Sequence, residues 1–401
     1  MAKKRGPKKV RVDFRRNRGT QQREGNLTRR YEATDDGANL DHLESRQSVR
    51  SKGALSRKRT VIVGDDDRTI VDEARWLPAT VTAVLGPECN LRDDRGHTWR
   101  CSIRRVLRTL LIGQRSSITA GDRVWFSDQS AMGESGTGVI ERVDPRRTIL
   151  SRSDFRGREH AIVANADQLL IVSSVARPNA KPHLIDRYLV AAARGNLRPV
   201  ICFNKCDLAR SADATLDFED ASYVGPRLNL DELMREYAAL GYTCLEVSAV
   251  TGAGLEALRH ELCGHITVFS GQSGVGKSSL ANAIEPGLQL KVADVSAENQ
   301  KGRHTTSYTE LLALSGGGFL VDTPGIRQFS LWAVAPSDLE ACFVEFPRFL
   351  SHCRFKDCHH IDEAGCAILA AVEKEIISPR RYDSYRKMLL ELAGTNKQRY
   401  D

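Results

Sequence analysis

The sequence predicts a multidomain chain: a small N-terminal β-barrel, a central α/β domain with a mainly parallel sheet, and a small, mostly helical C-terminal domain. The chain has 401 residues, enough for two or three domains of about 150 residues each. Its 41% hydrophobic content supports packed cores and excludes a collagen-like or wholly disordered chain. The hydrophobic pattern changes twice, from short alternating runs to alternating strands and helices, and then to helices around a Cys/His cluster.

Charge is concentrated at the N-terminal end. The whole chain carries a net charge of +8, whereas residues 1–60 carry 18 Lys and Arg against 7 Asp and Glu, a net +11 that leaves −3 for the rest. Residues 1–60 have few aromatics and no sustained apolar period, which predicts a basic disordered arm. Such an arm is either a solvated tail or an electrostatic contact to nucleic-acid phosphates.

The pattern also predicts the compartment. The basic start is not followed by an apolar segment, so no secretory signal is expected. The sequence contains no run of about 18 apolar residues, so no membrane span is expected. The ten cysteines are expected to be thiols in a reducing cytoplasm.

Residues 75–148 have the pattern of a small barrel. Short alternating runs separated by turn residues predict strands. They are Thr80–Leu85, Thr98–Ile103, Arg123–Ser127 and Gly138–Val143. A five-stranded oligonucleotide-binding (OB) barrel that binds RNA fits best, with an SH3-like barrel as the alternative.

Residues 160–333 alternate strands with helices. The predicted strands are Gln168–Ser174, Pro199–Phe203, Thr243–Val247, His265–Ser270 and Gly318–Val321, and the predicted helices are Leu184–Arg194, Leu255–Leu262 and Ser279–Ile284. This alternation indicates a parallel sheet covered by helices on both faces.

A phosphate-binding loop follows the strand His265–Ser270. The segment GQSGVGKS matches G-x-x-x-x-G-K-[ST] between a strand and a helix, which is the context that this motif requires. Backbone N–H groups would surround the phosphates, Lys277 would reach the β and γ oxygens, and Ser278 would ligate Mg²⁺. The predicted nucleotide-binding residues here are Gly271, Gln272, Ser273, Gly274, Val275, Gly276, Lys277, Ser278 and Ser279.

A second motif predicts selection of guanine. Asn204, Lys205, Cys206 and Asp207 follow a strand and match N-K-x-D. The Asp207 carboxylate can accept from the ring N–H and the exocyclic amine of guanine, whereas adenine would leave it unpaired. Ser248 and Ala249 are small residues at another strand end, whose N–H groups could approach the guanine oxygen.

Two further segments predict a γ-phosphate sensor. Asp322 opens the D-T-P-G motif and would hold Mg²⁺ through water, while the Gly325 N–H would contact the γ-phosphate. Between the phosphate loop and this motif lie Thr305 and Thr306. One of them would complete the Mg²⁺ shell, with Thr305 favoured.

The order of these motifs is unusual. GTPase chains ordinarily run from the phosphate loop through the threonine and D-x-x-G to N-K-x-D, whereas here N-K-x-D comes first. The set is complete but circularly permuted, so the D-x-x-G segment leads directly into the C-terminal domain.

The position after Gly325 bears on catalysis. Many GTPases place there a glutamine that orients water, but this chain has Ile326, which cannot do so. We therefore expect slow intrinsic hydrolysis, with His304 as the candidate catalytic group that polarises water. The alternative for His304 is a solvated loop histidine.

The C-terminal part, residues 334–401, contains a predicted zinc site. Cys353, Cys358, His360 and Cys366 supply three thiolates and one imidazole, the ligand set of a closed structural zinc site. His352 and His359 compete for the imidazole position. Helices are predicted near Pro336–Phe343, Glu363–Glu375 and Pro379–Ala393.

Taken together, the motifs NKCD, SA, GQSGVGKSS, GRHTT, DTPGI and CRFKDCHHIDEAGC resemble the small-ribosomal-subunit-dependent GTPase family (RsgA/YjeQ). The resemblance covers about residues 75–401, and the family shares the isoleucine after D-T-P-G and the histidine before the threonines. It implies an OB barrel, a circularly permuted P-loop GTPase domain and a zinc domain. It also implies that the protein hydrolyses the phosphoric acid anhydride bond of GTP, giving GDP and phosphate. The implied role is late maturation of the small (30S) subunit, with rRNA binding and with activity stimulated by that subunit.

Two other functions remain open at this point. One is a non-catalytic GTP-binding RNA assembly factor, and the other is a GTPase that acts on a different RNA–protein target. The expected cofactors are GTP or GDP, Mg²⁺ and one structural Zn²⁺. The expected partners are the small ribosomal subunit and its rRNA, with no membrane, and the chain is expected to be a monomer.

Overall fold

The computed structural model describes residues 8–13, 58–63, 75–104, 107, 118–130, 136–153, 159–208, 229–290, 309–322 and 336–397. Within the basic arm, strands β1 (Lys8–Asp13) and β2 (Lys58–Val63) form an antiparallel pair. Both segments contain several β-branched residues, which favour strands. Disorder is expected for residues 1–60, whereas the structure describes Lys8–Asp13 and Lys58–Val63 as strands, and the rest of residues 1–60 lies outside the described residues.

Five strands then close into a barrel. They are β3 (Trp76–Leu85), β4 (Glu88–Asp93), β5 (Thr98–Ile103), β6 (Arg123–Asp128) and β7 (Thr137–Val143). The order is β3-β4-β5-β7-β6, with β6 pairing back onto β3 and with β5 parallel to β7. Alternate side chains such as Val81, Leu91 and Phe126 fill the interior and are fully buried. This closed five-stranded order confirms the OB fold.

A hairpin connects the barrel to the α/β domain. It consists of β8 (Ile149–Ser153) and β9 (Glu159–Ala164). The Ala164 N–H donates to the Ala120 carbonyl at 2.9 Å, and the Asn165 amide Nδ2 donates to the Gly121 carbonyl at 2.9 Å. Gly121 has a φ of +87°, and a Cβ there would lie 1.8 Å from the Ala164 carbonyl oxygen. The backbones approach so closely here that only glycine fits.

Six strands form the sheet of the α/β domain. They are β10 (Gln168–Ser174), β11 (Arg198–Asn204), β12 (Thr243–Glu246), β13 (Ile266–Ser270), β14 (Glu310–Ala313) and β15 (Phe319–Asp322). Their order is β12-β11-β10-β13-β15-β14, parallel except for β14. Because Glu310 of β14 also pairs with Ala83 of β3, the sheet continues into the barrel.

Helices cover both faces of this sheet, as predicted, and the described residues form four of them rather than the three expected. They are α1 (Pro182–Arg194), α2 (Leu230–Ala239), α3 (Leu255–Leu262) and α4 (Lys277–Ile284). Tyr188 and Leu233 pack into the core on one face, and Leu258 and Leu280 into the core on the other. Helix α2 begins at a capping box formed by Asn229 and Glu232.

The C-terminal module is small and mostly helical. Its helices are α5 (Pro336–Leu339), α6 (Pro347–Leu350), α7 (Ala367–Glu373) and α8 (Pro379–Lys397). They enclose an aromatic core that contains Phe343, Phe346 and Tyr385. Helix α7 begins later than the pattern suggested, because the Cys366 thiol caps it by accepting from the Leu369 N–H. Across the described ranges, no helix is long and apolar enough to cross a bilayer.

A buried carboxylate anchors this module to the α/β domain. The carboxylate of Asp186 on α1 is fully buried and accepts hydrogen bonds from Arg380 Nη1 at 2.9 Å, Arg381 Nη1 at 2.7 Å and the Tyr237 hydroxyl at 2.7 Å. Arg381 also binds Glu345 through Nε at 2.8 Å and Nη2 at 3.0 Å. Burial alone would raise the pKa of Asp186, but the two arginines outweigh it and lower the pKa from 3.8 to about 2.

We expect Asp186→Asn to destabilise the protein by about 3–5 kcal/mol, because it leaves two buried arginines without their shared counter-charge. Glu391→Gln is the matched control, since Glu391 pairs with Arg187 at a side chain that is 46% exposed. The control should cost at most about 1 kcal/mol. Urea unfolding of both variants measures the difference, and equal midpoints for the two would contradict the anchoring role.

Wild type and Asp186→Asn should also differ in how their stability depends on pH. The folded-state pKa of Asp186 is depressed, so its stabilisation is present above the unfolded pKa, near 4, and is lost as pH falls towards about 2. The stability difference between wild type and Asp186→Asn should therefore shrink below pH 4.

Candidate functional site

The predicted site residues lie at one edge of the central sheet. Parallel strands place their carboxyl ends together, and loops that follow such ends form ligand sites in α/β folds. Asn204 ends β11, Ser248 follows β12, Gly271 follows β13 and Asp322 ends β15. Residues that are far apart in the sequence are therefore brought to a common edge.

The phosphate loop depends on three glycines. Gly271, Gly274 and Gly276 have φ values of +144°, +83° and +90°, which residues other than glycine rarely adopt. A Cβ on Gly271 would also lie 2.0 Å from the Val172 carbonyl oxygen. These conformations turn the loop into the N-terminus of α4, whose dipole favours anions.

The side chains of the phosphate loop differ in burial and in hydrogen bonding. The Lys277 ammonium donates to the carbonyls of Gly271 and Gln272, both at 2.8 Å, so it lies across the loop. Val275 is buried and packs into the core, which holds the loop against the sheet. Ser273 is exposed, and Ser278 and Ser279 are half-buried in the first turn of α4.

The N-K-x-D segment is tied to the phosphate loop. The buried Asn204 amide donates from Nδ2 to the Val275 carbonyl at 2.9 Å and accepts at Oδ1 from the Ala249 N–H at 3.3 Å. The Lys205 ammonium donates to the Gly274 carbonyl at 2.8 Å. These bonds join the predicted base-binding and phosphate-binding segments.

Asp207 is held in position by a neighbouring loop. The Ser248 hydroxyl donates to Asp207 Oδ1 at 2.5 Å. Cys206, between Lys205 and Asp207, donates its backbone N–H to the Val247 carbonyl at 3.1 Å. Burial raises the pKa of the Cys206 thiol, so this side chain is a neutral spacer at pH 7.

The predicted Mg²⁺ ligands are only partly described. Ser278 lies in the first turn of α4, just after β13 and the phosphate loop, and Asp322 is the last residue of β15. Strands β13 and β15 are parallel neighbours, with Val268 opposite Val321. The two residues therefore lie at the same sheet edge. His304, Thr305, Thr306, Gly325 and Ile326 lie outside the described residues, and their roles stay predictions.

The predicted metal ligands form a compact cluster in the C-terminal module. One ligand atom from each of Cys353, Cys358, His360 and Cys366 lies within 4.8 Å of the others. His360 Nδ1 lies 3.3 Å from the Cys366 sulfur and 3.6 Å from the Cys353 sulfur. Zinc–sulfur bonds of about 2.3 Å imply ligand separations near 3.8 Å in a tetrahedron, so the cluster fits zinc.

The imidazole position is also decided by the structure. His360 is buried within the cluster, whereas His352 and His359 are exposed and outside it. His360 Nε2 lies 2.9 Å from the Glu340 carboxylate, which would fix the tautomer that leaves Nδ1 free to ligate. No sequence pattern indicated Glu340, because it lies 20 residues upstream of His360 with no motif around it.

Burial raises the pKa of the Cys358 thiol to about 12. A bound cation favours the thiolate and opposes this effect. A donor set of three thiols and one imidazole suits a closed structural site more than a catalytic one.

Comparison with known proteins extends these observations. Residues 143–332 match the family model described as RsgA GTPase. The small ribosomal subunit biogenesis GTPase RsgA of Azotobacter vinelandii is 44% identical over 356 residues, covering 87% of this chain and 95% of that protein. The protein of the same name from Pseudomonas aeruginosa (strain LESB58) is 38% identical over 361 residues, covering 88% and 98%.

Solved structures agree in fold. The crystal structure of YjeQ from Thermotoga maritima matches with a TM-score of 0.60 and 32% identity, covering 80% of this chain and 99% of that one. The structure of YloQ, described as a circularly permuted GTPase, matches with a TM-score of 0.62 and 24% identity, covering 81% and 98%. The permuted motif order is thereby confirmed as a property of the fold. The extent of identity to RsgA proteins, together with this fold, shows that the chain belongs to the RsgA GTPase family.

Proposed function

We propose that this protein is a cytoplasmic, Mg²⁺-dependent GTPase that acts in late maturation of the small (30S) ribosomal subunit. In this proposal it binds rRNA as a monomer, and the subunit stimulates its activity. One observation carries the proposal: Asn204 and Lys205 of the N-K-x-D segment donate hydrogen bonds to carbonyls of the phosphate loop. The names of the relatives, which place them in small-subunit biogenesis, support the choice of partner.

Base recognition is assigned to the N-K-x-D and Ser-Ala segments. Asp207, oriented by Ser248, accepts from the ring N–H and exocyclic amine of guanine. The Ala249 region supplies backbone N–H donors to the guanine oxygen, and the Lys205 stem packs along the ring. Adenine offers neither donor in this arrangement, which gives the selectivity.

Phosphate binding is assigned to the glycine-rich loop. Lys277, whose ammonium donates to loop carbonyls, reaches the β and γ oxygens of the bound nucleotide. Ser278 directly, Asp322 through water, and one of Thr305 or Thr306 would hold Mg²⁺, which neutralises charge that develops on the phosphates. The Gly325 N–H contacts the γ-phosphate and is released when it leaves.

Catalysis needs a group that orients water. Ile326 cannot serve, so His304 is assigned this role, and intrinsic turnover is slow. Docking to the subunit raises turnover by ordering the segment that carries His304. Loss of the γ-phosphate then weakens docking, since the D-T-P-G segment leads directly into the C-terminal module.

The decisive experiment is GTP turnover with and without purified small ribosomal subunits. We expect more than about tenfold stimulation, which is about 1.4 kcal/mol of activation barrier, and no stimulation by large subunits. Lys277→Ala should abolish turnover in both conditions. Stimulation by a different RNA–protein particle would indicate another target, and GTP binding without turnover in any condition would indicate a non-catalytic assembly factor.

Guanine selection is tested with Asp207→Asn. This variant should weaken GTP binding by about 100-fold or more and shift preference towards xanthosine triphosphate, because the amide cannot accept both guanine donors. Glu246→Gln is the matched control, an exposed carboxylate close enough to raise the pKa of the Cys206 thiol. Nucleotide titration by fluorescence measures both, and undiminished GTP affinity would contradict the assignment.

The zinc site is tested with a pair of cysteine variants. Purified wild type should contain one zinc per chain by elemental analysis, and Cys358→Ser should lose most of it. Cys342→Ser is the control, because Cys342 is buried in the same core but lies outside the ligand cluster. Zinc-free wild type that keeps a folded C-terminal module would contradict the structural role.

A further inference from the structure

The loop between β10 and α1 touches both halves of the nucleotide site. The Arg177 carbonyl accepts a hydrogen bond from the Lys205 ammonium, which also binds the Gly274 carbonyl in the phosphate loop. Pro178 packs beside the same loop, because a Cβ on Gly274 would lie 3.5 Å from Pro178 Cδ. None of the sequence motifs includes Arg177, yet its backbone is part of the site.

The Arg177 side chain differs from other arginines around this domain. Arg187, Arg380 and Arg381 each form an ion pair with a carboxylate. Arg177 is exposed, and the part of the chain that the structure describes shows no ion pair for it. The Arg177 φ of +49° is a conformation that arginine rarely adopts. The hydrogen bond from Lys205 to the Arg177 carbonyl holds the backbone in place there.

Two cationic residues therefore lie close together beside the phosphate loop. Burial lowers the pKa of Lys205, Asp207 raises it, and the nearby Arg177 lowers it further. Asp207 offsets this repulsion in part, and an anion beside Lys205 and Arg177 would offset more of it. The Lys205 ammonium binds the carbonyl of Gly274, in the middle of the phosphate loop. An anion held by that loop would therefore lie next to Lys205 and Arg177.

We propose that Arg177 is a further nucleotide-binding residue, whose guanidinium contacts the phosphate chain of the bound guanine nucleotide. The proposal rests on the proposed function, since it takes that nucleotide as the ligand. Arg177 approaches from the β10–α1 side, whereas Lys277 and the loop N–H groups approach from the α4 side. Its contribution is to affinity, through a charge-assisted contact that Lys205, engaged with two carbonyls, does not provide.

The experiment compares Arg177→Gln, Arg177→Lys and the control Arg235→Gln in the full-length protein. Arg235 is an exposed arginine on α2, bonded to the Asp231 carbonyl of its own helix. GDP affinity is measured by fluorescence titration at low and high salt, with thermal midpoints recorded to verify folding. Arg177→Gln should weaken GDP binding about 10- to 100-fold at low salt, and Arg177→Lys should keep most of the affinity.

Salt separates a charge contact from a structural effect. The gap between wild type and Arg177→Gln should narrow at high salt, because counter-ions screen an exposed charge contact. GDP affinity of Arg177→Gln within about twofold of wild type would overturn the proposal, as would an equal, salt-independent loss in both Arg177 variants. Wild type that binds neither GDP nor GTP would overturn the proposed function as well, so the two failures are distinguishable.

Discussion

One buried side-chain amide holds the nucleotide site together. Asn204 donates to the carbonyl of Val275 in the phosphate loop at 2.9 Å and accepts from the N–H of Ala249 at 3.3 Å. An unpaired buried amide would cost about 1–3 kcal/mol, so the three loops satisfy one another only when all are in place. The hydrogen bonds of Asn204 therefore set the relative positions of these loops, and a Cβ on Gly276 would lie 2.5 Å from the same amide.

The flanking modules are fixed to this site by main-chain and buried polar contacts. On one side, β14 pairs with both β15 and β3, which makes the barrel an extension of the sheet that ends in Asp322. On the other side, Asp186 binds two arginines of α8 in a buried cluster. Removing charges from water is costly, and such a cluster forms only in one relative orientation of the two modules.

Circular permutation leaves this arrangement intact because the sheet edge, and not the chain order, brings the loops together. Parallel strands β10, β11, β12, β13 and β15 all end at one edge. What permutation changes is the connection that follows β15, which now runs to the C-terminal module. The D-T-P-G segment is thus connected along the chain to the Cys/His cluster.

The sequence by itself determined the three modules, the phosphate loop, the N-K-x-D segment and the Cys/His cluster. Each is written in local spacing, since a glycine turn, a strand end or a ligand cluster involves residues close along the chain. It missed β4, β14 and α2, because short or weakly periodic segments become strands and helices only through their neighbours. Only the tertiary structure decided that Asp186 meets Arg380 and Arg381, that Glu340 supports His360, and that Arg177 lies beside Lys205. These pairs have no local signature, because the packing of distant elements and the need to satisfy buried or crowded charges determine which residues meet.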